Sequence, residues 1–393
     1  MNRSHDDELV IVGGGLAGGL AAAMLARAGR HPLLFERDAG ASDKICGEFL
    51  SAEAQQHLAR IGLDLGALGG HVITRLRLVR GDSVAEAKLP FRGLGLSRRV
   101  LDYALLEHAA ACGAEVRRGH EVRIFKSASG VDVNVDGIGQ CKPDTLLLAT
   151  GKHDVRDLRR QLVKPAEDLV GFKTYFRLDP AQTQALSGSV EVIVFPRGYA
   201  GLQRVEGGRA NLCLLIDRAQ FQESGAAWDC LLRDLMRLSA HLRLRLQGAT
   251  PLLDRPLAIY RVPYGFVHAP LASDPRNVYR LGDQVAVIPS FSGDGMAIAL
   301  HSAALAVQTH LNGRSAREYH QRIRADVAAQ VARASALYRF GRSAFGQAML
   351  IPVFRAWPRG LQLAAEFTRV PRQAVTRVLN ATLPQSPQGQ ARP

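Results

Sequence analysis

The chain has 393 residues, room for two domains or one large composite, and its 47% hydrophobic and 22% charged content is that of a globular protein. With 38 Gly and 18 Pro, the composition excludes collagen-like and low-complexity chains. The formal charge of +14 is unevenly spread: from Arg314 onward there are 13 arginines, no lysine and 3 acids, whereas the preceding part is near neutral. Such a tail permits contact with an anionic surface. No recognised nucleic-acid module accompanies it, so nucleic-acid binding is not expected. The five cysteines follow neither a disulfide nor a zinc spacing, which predicts a reduced compartment and no metal. No apolar leader precedes the first motif, and the expected location is cytoplasmic.

Leu9–Val12 reads as a buried strand, residues 16–28 as an Ala/Leu helix ending at Gly29, and residues 31–35 as a second strand closing on Glu36. Between strand and helix lies Gly13-x-Gly15-x-x-Gly18. There the first glycine makes the turn, the second admits a pyrophosphate to the helix N-terminus, and the third lets helix and strand pack closely. Glu36, 23 positions after Gly13, can accept ribose hydroxyls and would repel a 2′-phosphate. The uncharged run Leu9–Ala26 has the length of a membrane span, but its glycines cluster at one end, as a nucleotide turn requires.

Further along, residues 51–61 and 101–111 read as helices and 72–79 as a strand. Residues 115–126 and 131–136 read as a hairpin turning at Ser129-Gly130, and 145–149 as a short apolar strand. From about Gly171 a series of strands (172–178, 190–195, 201–205, 211–216) gives way to a helix over 228–246. Residues 277–281 return to a nucleotide-domain strand, followed by a long helix over 295–311. The Arg-rich remainder reads as helical with breaks at Pro352, Pro358 and Pro371. The expected architecture is α/β: a Rossmann-type dinucleotide domain (1–170 and 276–313) interleaved with an α+β substrate domain on an antiparallel sheet (171–275). A helical C-terminal region (314–383) and a flexible tail (384–393) follow.

Four segments occur in the order found in one known group. Gly13-x-Gly15-x-x-Gly18 with Glu36 is followed by Lys44-Ile45-Cys46-Gly47-Glu48-Phe49-Leu50-Ser51 and then by Arg98-Arg99-Val100-Leu101-Asp102. Last comes Gly282-Asp283-Gln284-Val285 running through Pro289 to Gly293-Asp294-Gly295-Met296. Together they resemble the FAD-dependent aromatic hydroxylase superfamily, on the branch holding geranylgeranyl reductases and flavin-dependent halogenases. The resemblance implies FAD bound by Gly13, Gly15, Leu16, Ala17, Gly18, Glu36, Arg37, Lys44, Cys46, Gly47, Arg98, Gly282, Asp283, Pro289, Gly293, Gly295 and Met296. Arg99 is expected to face solvent.

Where the group carries an Asp-Gly element, this chain has Thr150-Gly151, which puts direct nicotinamide handling in doubt. NAD(P)H as a transient donor and a partner flavin reductase therefore both stay open. A halogenase-type Trp-x-Trp-x-Ile-Pro segment is absent, since the only tryptophans are Trp228 and Trp357. Phe195-Pro196-Arg197 resembles a Phe-Pro-Lys-type segment of the reductases. Phe195, Tyr199 and Tyr264 are the expected substrate contacts. No triad or metal cluster is evident, so the flavin would carry the reaction, with Cys46, Tyr260 and His268 as the side-chain candidates. The first expectation is a monooxygenase acting on an aromatic or polyketide-like molecule through a flavin C4a-hydroperoxide. The alternative is an FAD-dependent reductase or dehydrogenase of an isoprenoid, quinone or other unsaturated lipid-like molecule. The segment 345–357 could form a lid, a packing surface or a peripheral membrane contact.

Overall fold

The computed structural model of the chain describes residues 8–127, 130–162 and 167–381. The tail expected at 384–393 and Ser129 of the expected turn lie outside them. A five-stranded parallel sheet runs in the order Val278–Arg280, Thr145–Leu148, Leu9–Val12, Leu33–Glu36, Glu115–Arg118. Its central strands, Leu9–Val12 and Thr145–Leu148, are buried along their whole length and apolar but for Thr145, because both faces are covered. Leu9 and Ile11 point into a core shared with the helices Leu16–Arg27, Arg98–Ala111 and Gly295–Leu311. Val10 and Val12 point the other way, against a three-stranded sheet of Val122–Ser127, Gly130–Val135 and Gly139–Cys141. The stretch expected as one strand over 115–126 is thus split, its first part closing the parallel sheet and its second opening the hairpin.

The second sheet has nine strands and reaches beyond the segment 171–275. His71–Arg80 and Ser83–Gly95 form a hairpin whose first strand runs parallel to Ser189–Phe195, and Phe49–Leu50 adds to the hairpin's far edge. The other principal strands, Leu169–Arg177, Gly198–Arg204 and Ala210–Asp217, are antiparallel neighbours. One face is closed by the helices Trp228–Leu238 and Ala240–Arg245. These replace the single helix expected over 228–246, because Ser239 takes an extended backbone and caps Leu242 N–H with its hydroxyl. The opposite face looks toward the parallel sheet and the C-terminal helices Ala316–Arg342, Ala344–Ala356 and Pro358–Phe367, whereas the last helix, Arg372–Asn380, packs into the core of the parallel sheet. Pro358 opens a helix and Pro371 precedes one, as expected, but Pro352 lies inside Ala344–Ala356 without ending it. No helix among the described residues is long and apolar enough to cross a membrane.

Candidate functional site

A single cavity of about 1110 Å³ runs from the first glycine turn, between the two sheets, to the C-terminal helices. At its polar end Gly13 has φ +105°, and a Cβ there would lie 2.4 Å from the Ala149 carbonyl oxygen. A Cβ on Gly18 would lie 1.9 Å from the Gly13 carbonyl oxygen, so helix and turn meet backbone to backbone. Gly15 starts the helix with no capping side chain and no acid in the first turn. The partial positive charge of that helix end therefore meets the cavity, which Gly15, Leu16 and Ala17 line. Glu36 closes the unit: its Oε2 accepts the Gly14 N–H at 2.6 Å and its Oε1 the Asp38 N–H at 3.0 Å. Lys44 pairs with Asp38 and lies 3.9 Å from Glu36 Oε1. Arg98 is gripped by Asp102 through two 2.7 Å bonds and shares the cavity wall with Arg37 and Asp283. Arg99 is half-exposed.

The second glycine turn has the same logic. Gly293 has φ +66°, and Gly295 and Met296 begin a long helix whose N-cap, Asp294, does not cap it. The Asp294 carboxylate is turned away and fully buried. Oδ1 accepts from Arg369 Nη1 (3.1 Å), and Oδ2 accepts from Gln330 Nε2 (2.6 Å) and the Val370 N–H (2.8 Å). Arg369 Nη2 also donates to the Ser292 carbonyl at 2.9 Å. Burial pushes the Asp294 carboxyl up to about 6 against the pull of Arg369. The C-terminal region thus clamps this turn, leaving a second uncapped helix end on the cavity.

The loop Cys46-Gly47-Glu48 crosses between these two ends and is held from the nine-stranded sheet. Asn211 Nδ2 donates to the Cys46 and Gly47 carbonyls (3.0 and 2.9 Å), and Gln203 Nε2 donates to the Glu48 carbonyl (2.7 Å). Glu48 has φ +60° and is fully buried, its Oε1 accepting from Lys173 Nζ (2.5 Å), Tyr175 Oη (2.8 Å) and the Arg98 N–H (2.8 Å). A Glu–Lys pair at zero exposure under a cavity loop persists only where such extra bonds satisfy it.

The far end is apolar. Val190, Val192 and Val194 face it on alternate positions of one strand, with Leu76 and Leu78 beside them and Leu350, Phe354 and Leu361 opposite. Where the two ends meet, Tyr199, Tyr264, Phe291 and Tyr338 pack edge-on or stacked with ring centroids 5.8–6.4 Å apart. The Tyr264 hydroxyl bonds Ser290 Oγ. Burial pushes the phenols of Tyr199, Tyr264 and Tyr338 above the ordinary tyrosine range, so they remain neutral hydrogen-bond donors.

Most of the residues expected from sequence meet at this cavity: Gly13, Gly15, Leu16, Ala17, Glu36, Arg37, Lys44, Cys46, Gly47, Arg98, Gly282, Asp283, Gly293, Gly295, Met296, Tyr199 and Tyr264 all line it. Gly18 and Pro289 shape the turns behind the lining. Three expectations need correction. Phe195 is one position out of phase with Val194, so it points into the opposite core with Phe172 and Ile193. Tyr260 is 54% exposed and stands outside the lining. His268 packs on His320, with ring centroids 4.6 Å apart, also away from the cavity. Of the side-chain candidates, Cys46 alone reaches it. Sequence reading missed Arg369, Gln203 and Tyr338, none of which sits in a local motif; Thr150, named only as a departure, and Lys152, two positions on in the same stretch, also line the cavity.

The FAD binding domain family matches residues 6–137. This match falls on the glycine turn, the closing glutamate and the Arg98 segment that bound the polar end. The chain carries an FAD binding domain and is an FAD-dependent oxidoreductase. By sequence, the flavoprotein is 26% identical over 340 residues to the menaquinone reductase of Mycolicibacterium smegmatis, covering 80% of this chain and 78% of that one. It is 29% identical over 189 residues to protein FixC of Shigella flexneri, covering 44% of this chain and only 43% of FixC. Two solved structures share the fold. Halogenase PltM has a TM-score of 0.72 at 16% identity, covering 96% of this chain and 87% of that one. A geranylgeranyl bacteriochlorophyll reductase-like protein from Thermoplasma acidophilum has a TM-score of 0.73 at 17% identity, covering 95% of each.

Proposed function

We propose that this flavoprotein is a reductase or dehydrogenase of an unsaturated, lipid-like molecule of the quinone or isoprenoid class. The observation that carries the reading is the apolar chamber formed by Val190, Val192, Val194, Leu350, Phe354 and Leu361, continuous with the glycine-lined end of the same cavity. A long hydrocarbon substituent would bury its surface there, while its polar or conjugated head lies toward the polar end. The sequence relationship to menaquinone reductase, which extends over 80% of the chain, supports the same class.

The residues present fit FAD. The uncapped helix starts at Gly15 and Gly295 offer backbone amides, and no side chain fills either approach. In this reading Gly15–Ala17 and Arg98 would hold the pyrophosphate, Glu36 a ribose and Gly295-Met296 the pyrimidine edge. Bound there, FAD supplies a two-electron redox centre. The chain's own residues bind and orient. The neutral phenols of Tyr264 and Tyr199 donate hydrogen bonds to a substrate oxygen, and the valine and leucine walls keep water out. Asp283→Ala is expected to loosen FAD by roughly tenfold, the worth of about one lost hydrogen bond to a charged group. Flavin release on dilution reads this, with KM for substrate little changed.

The reading is tested under argon. Chemically reduced protein mixed with a polyprenylated quinone or an unsaturated isoprenoid is expected to return the oxidised flavin spectrum, with a product that has gained two hydrogens. NADH and NADPH are then tried in place of the chemical reductant. A protein that turns over only in air, adding one oxygen atom to the substrate, overturns this reading in favour of a monooxygenase. The ring cluster of Tyr199, Tyr264, Phe291 and Tyr338 is the feature that would suit an aromatic substrate.

A further inference from the structure

The helix Ala344–Ala356 turns one face inward, where Gly346, Gln347, Leu350 and Ile351 are buried and Leu350 walls the apolar chamber. Its outward face comprises Phe345, Ala348, Met349, Pro352, Val353 and Ala356, all exposed, at the i, i+3/i+4 spacing of a single apolar stripe with Arg355 at its edge. Phe345 is 69% exposed and Trp357, at the end of the helix, 53%. Phe367, at the end of the following helix, is 56% exposed. Exposed large apolar side chains grouped in this way mark a binding surface. Around them stand the exposed arginines Arg339, Arg355 and Arg359, in a region that from Arg314 onward holds 13 arginines and 3 acids. Two of those acids, Asp326 and Glu366, are already paired with Arg377 and Arg372.

We propose that this face docks on the surface of an anionic lipid bilayer, the helix lying in the plane of the membrane. A 13-residue helix is about 20 Å long, too short to span a hydrocarbon core of about 30 Å, so burying its stripe means lying flat. Trp357 sits where an interfacial aromatic would, and the arginine rim matches lipid phosphates. A symmetric second copy on the same face would set arginine against arginine. Because the inner side of the helix walls the chamber, a docked enzyme would draw its lipid-like substrate from the bilayer. That extension rests on the function proposed above; the docking does not.

The test is flotation of the full-length flavoprotein with vesicles of phosphatidylcholine alone and of phosphatidylcholine mixed with phosphatidylglycerol. Binding is expected only to the anionic vesicles, weakened by salt, and reduced about tenfold or more in the Phe345→Glu/Met349→Glu variant. Flavin content and turnover of a short-chain, water-soluble substrate should be unchanged in that variant. If it does not fold, Phe345→Ser is expected to give a smaller loss in the same assay. Equal partition into both vesicle types, or no binding, overturns the proposal, as does a dimer in sedimentation velocity that the same substitutions dissociate. Binding without turnover of any lipid-like molecule leaves the docking standing and removes the substrate reading alone.

Discussion

Gly15→Val is expected to give a folded protein without flavin colour. Gly15 has φ −75° and ψ −167°, an extended conformation that valine adopts freely, so the backbone does not resist the change. A Cβ there meets the tip of Arg98 at 3.1 Å and Asp102 Oδ2 at 3.9 Å, and no backbone atom. That guanidinium is fixed by two bonds to Asp102, so the valine methyls project into the cavity, where the amides of the helix start must receive the pyrophosphate. Gly18→Ala serves as the contrast, for its Cβ would fall 1.9 Å from a backbone oxygen with no flexible group to give way. That variant should lose several kcal/mol and fail to accumulate, the outcome of overpacking a rigid contact. Absorbance of purified protein and a thermal melt separate the two cases. A folded Gly15→Val protein retaining its full flavin content would show that the phosphates lie elsewhere.

The contrast also explains what was legible in the chain. The first 28 residues of the nucleotide unit could be read because every constraint is local: an apolar run, glycines where backbones touch, and an acid where the second strand ends. The clamp on the second turn could not. Arg369 and Gln330 reach Asp294 from 75 and 36 positions away, and in sequence each is an ordinary polar residue on a helical stretch. Phe195 was misread for a subtler reason. Alternation says that Val194 and Phe195 face opposite sides of a strand, but not which side is the cavity. That is decided by the hairpin His71–Gly95, which joins beside this strand with no signal in either segment, and by helices more than 150 positions later. The two expected halves of the chain are therefore sewn together through contacts that no local pattern announces.

Lys173→Met should be among the most destabilising substitutions in the molecule. Lys173 sits in the middle of the strand Leu169–Arg177, where its charge reads as solvent-facing, yet both it and Glu48 have no exposed surface. Burial pushes the Glu48 carboxyl above its ordinary value while Lys173 pulls it down, so removing the lysine leaves the burial effect opposed only by the hydrogen bonds from the Arg98 N–H and Tyr175 Oη. Breaking one partner of such a pair costs about 3–5 kcal/mol. The sign of the pH dependence follows. An acid that titrates higher in the folded than in the unfolded chain binds protons more tightly when folded, so its burial weakens the fold as pH rises above the unfolded value of 4.5. The Lys173→Met deficit should therefore be largest near neutral pH and shrink toward pH 5. Glu48→Gln/Lys173→Met should recover most of the loss, because an amide oxygen still accepts from Tyr175 Oη and the Arg98 N–H with no charge left to bury. Denaturant melts of both variants at two pH values test this, and a Lys173→Met loss below about 1 kcal/mol at neutral pH would show that water already reaches the pair. The loop Cys46-Gly47-Glu48 stands on this pair, and Glu48 keeps its left-handed backbone only while those bonds hold it. Flavin retention in Lys173→Met should consequently fall even at acid pH, where the stability deficit has narrowed, because a protonated Glu48 cannot replace the bond from Lys173 to the Lys44 carbonyl.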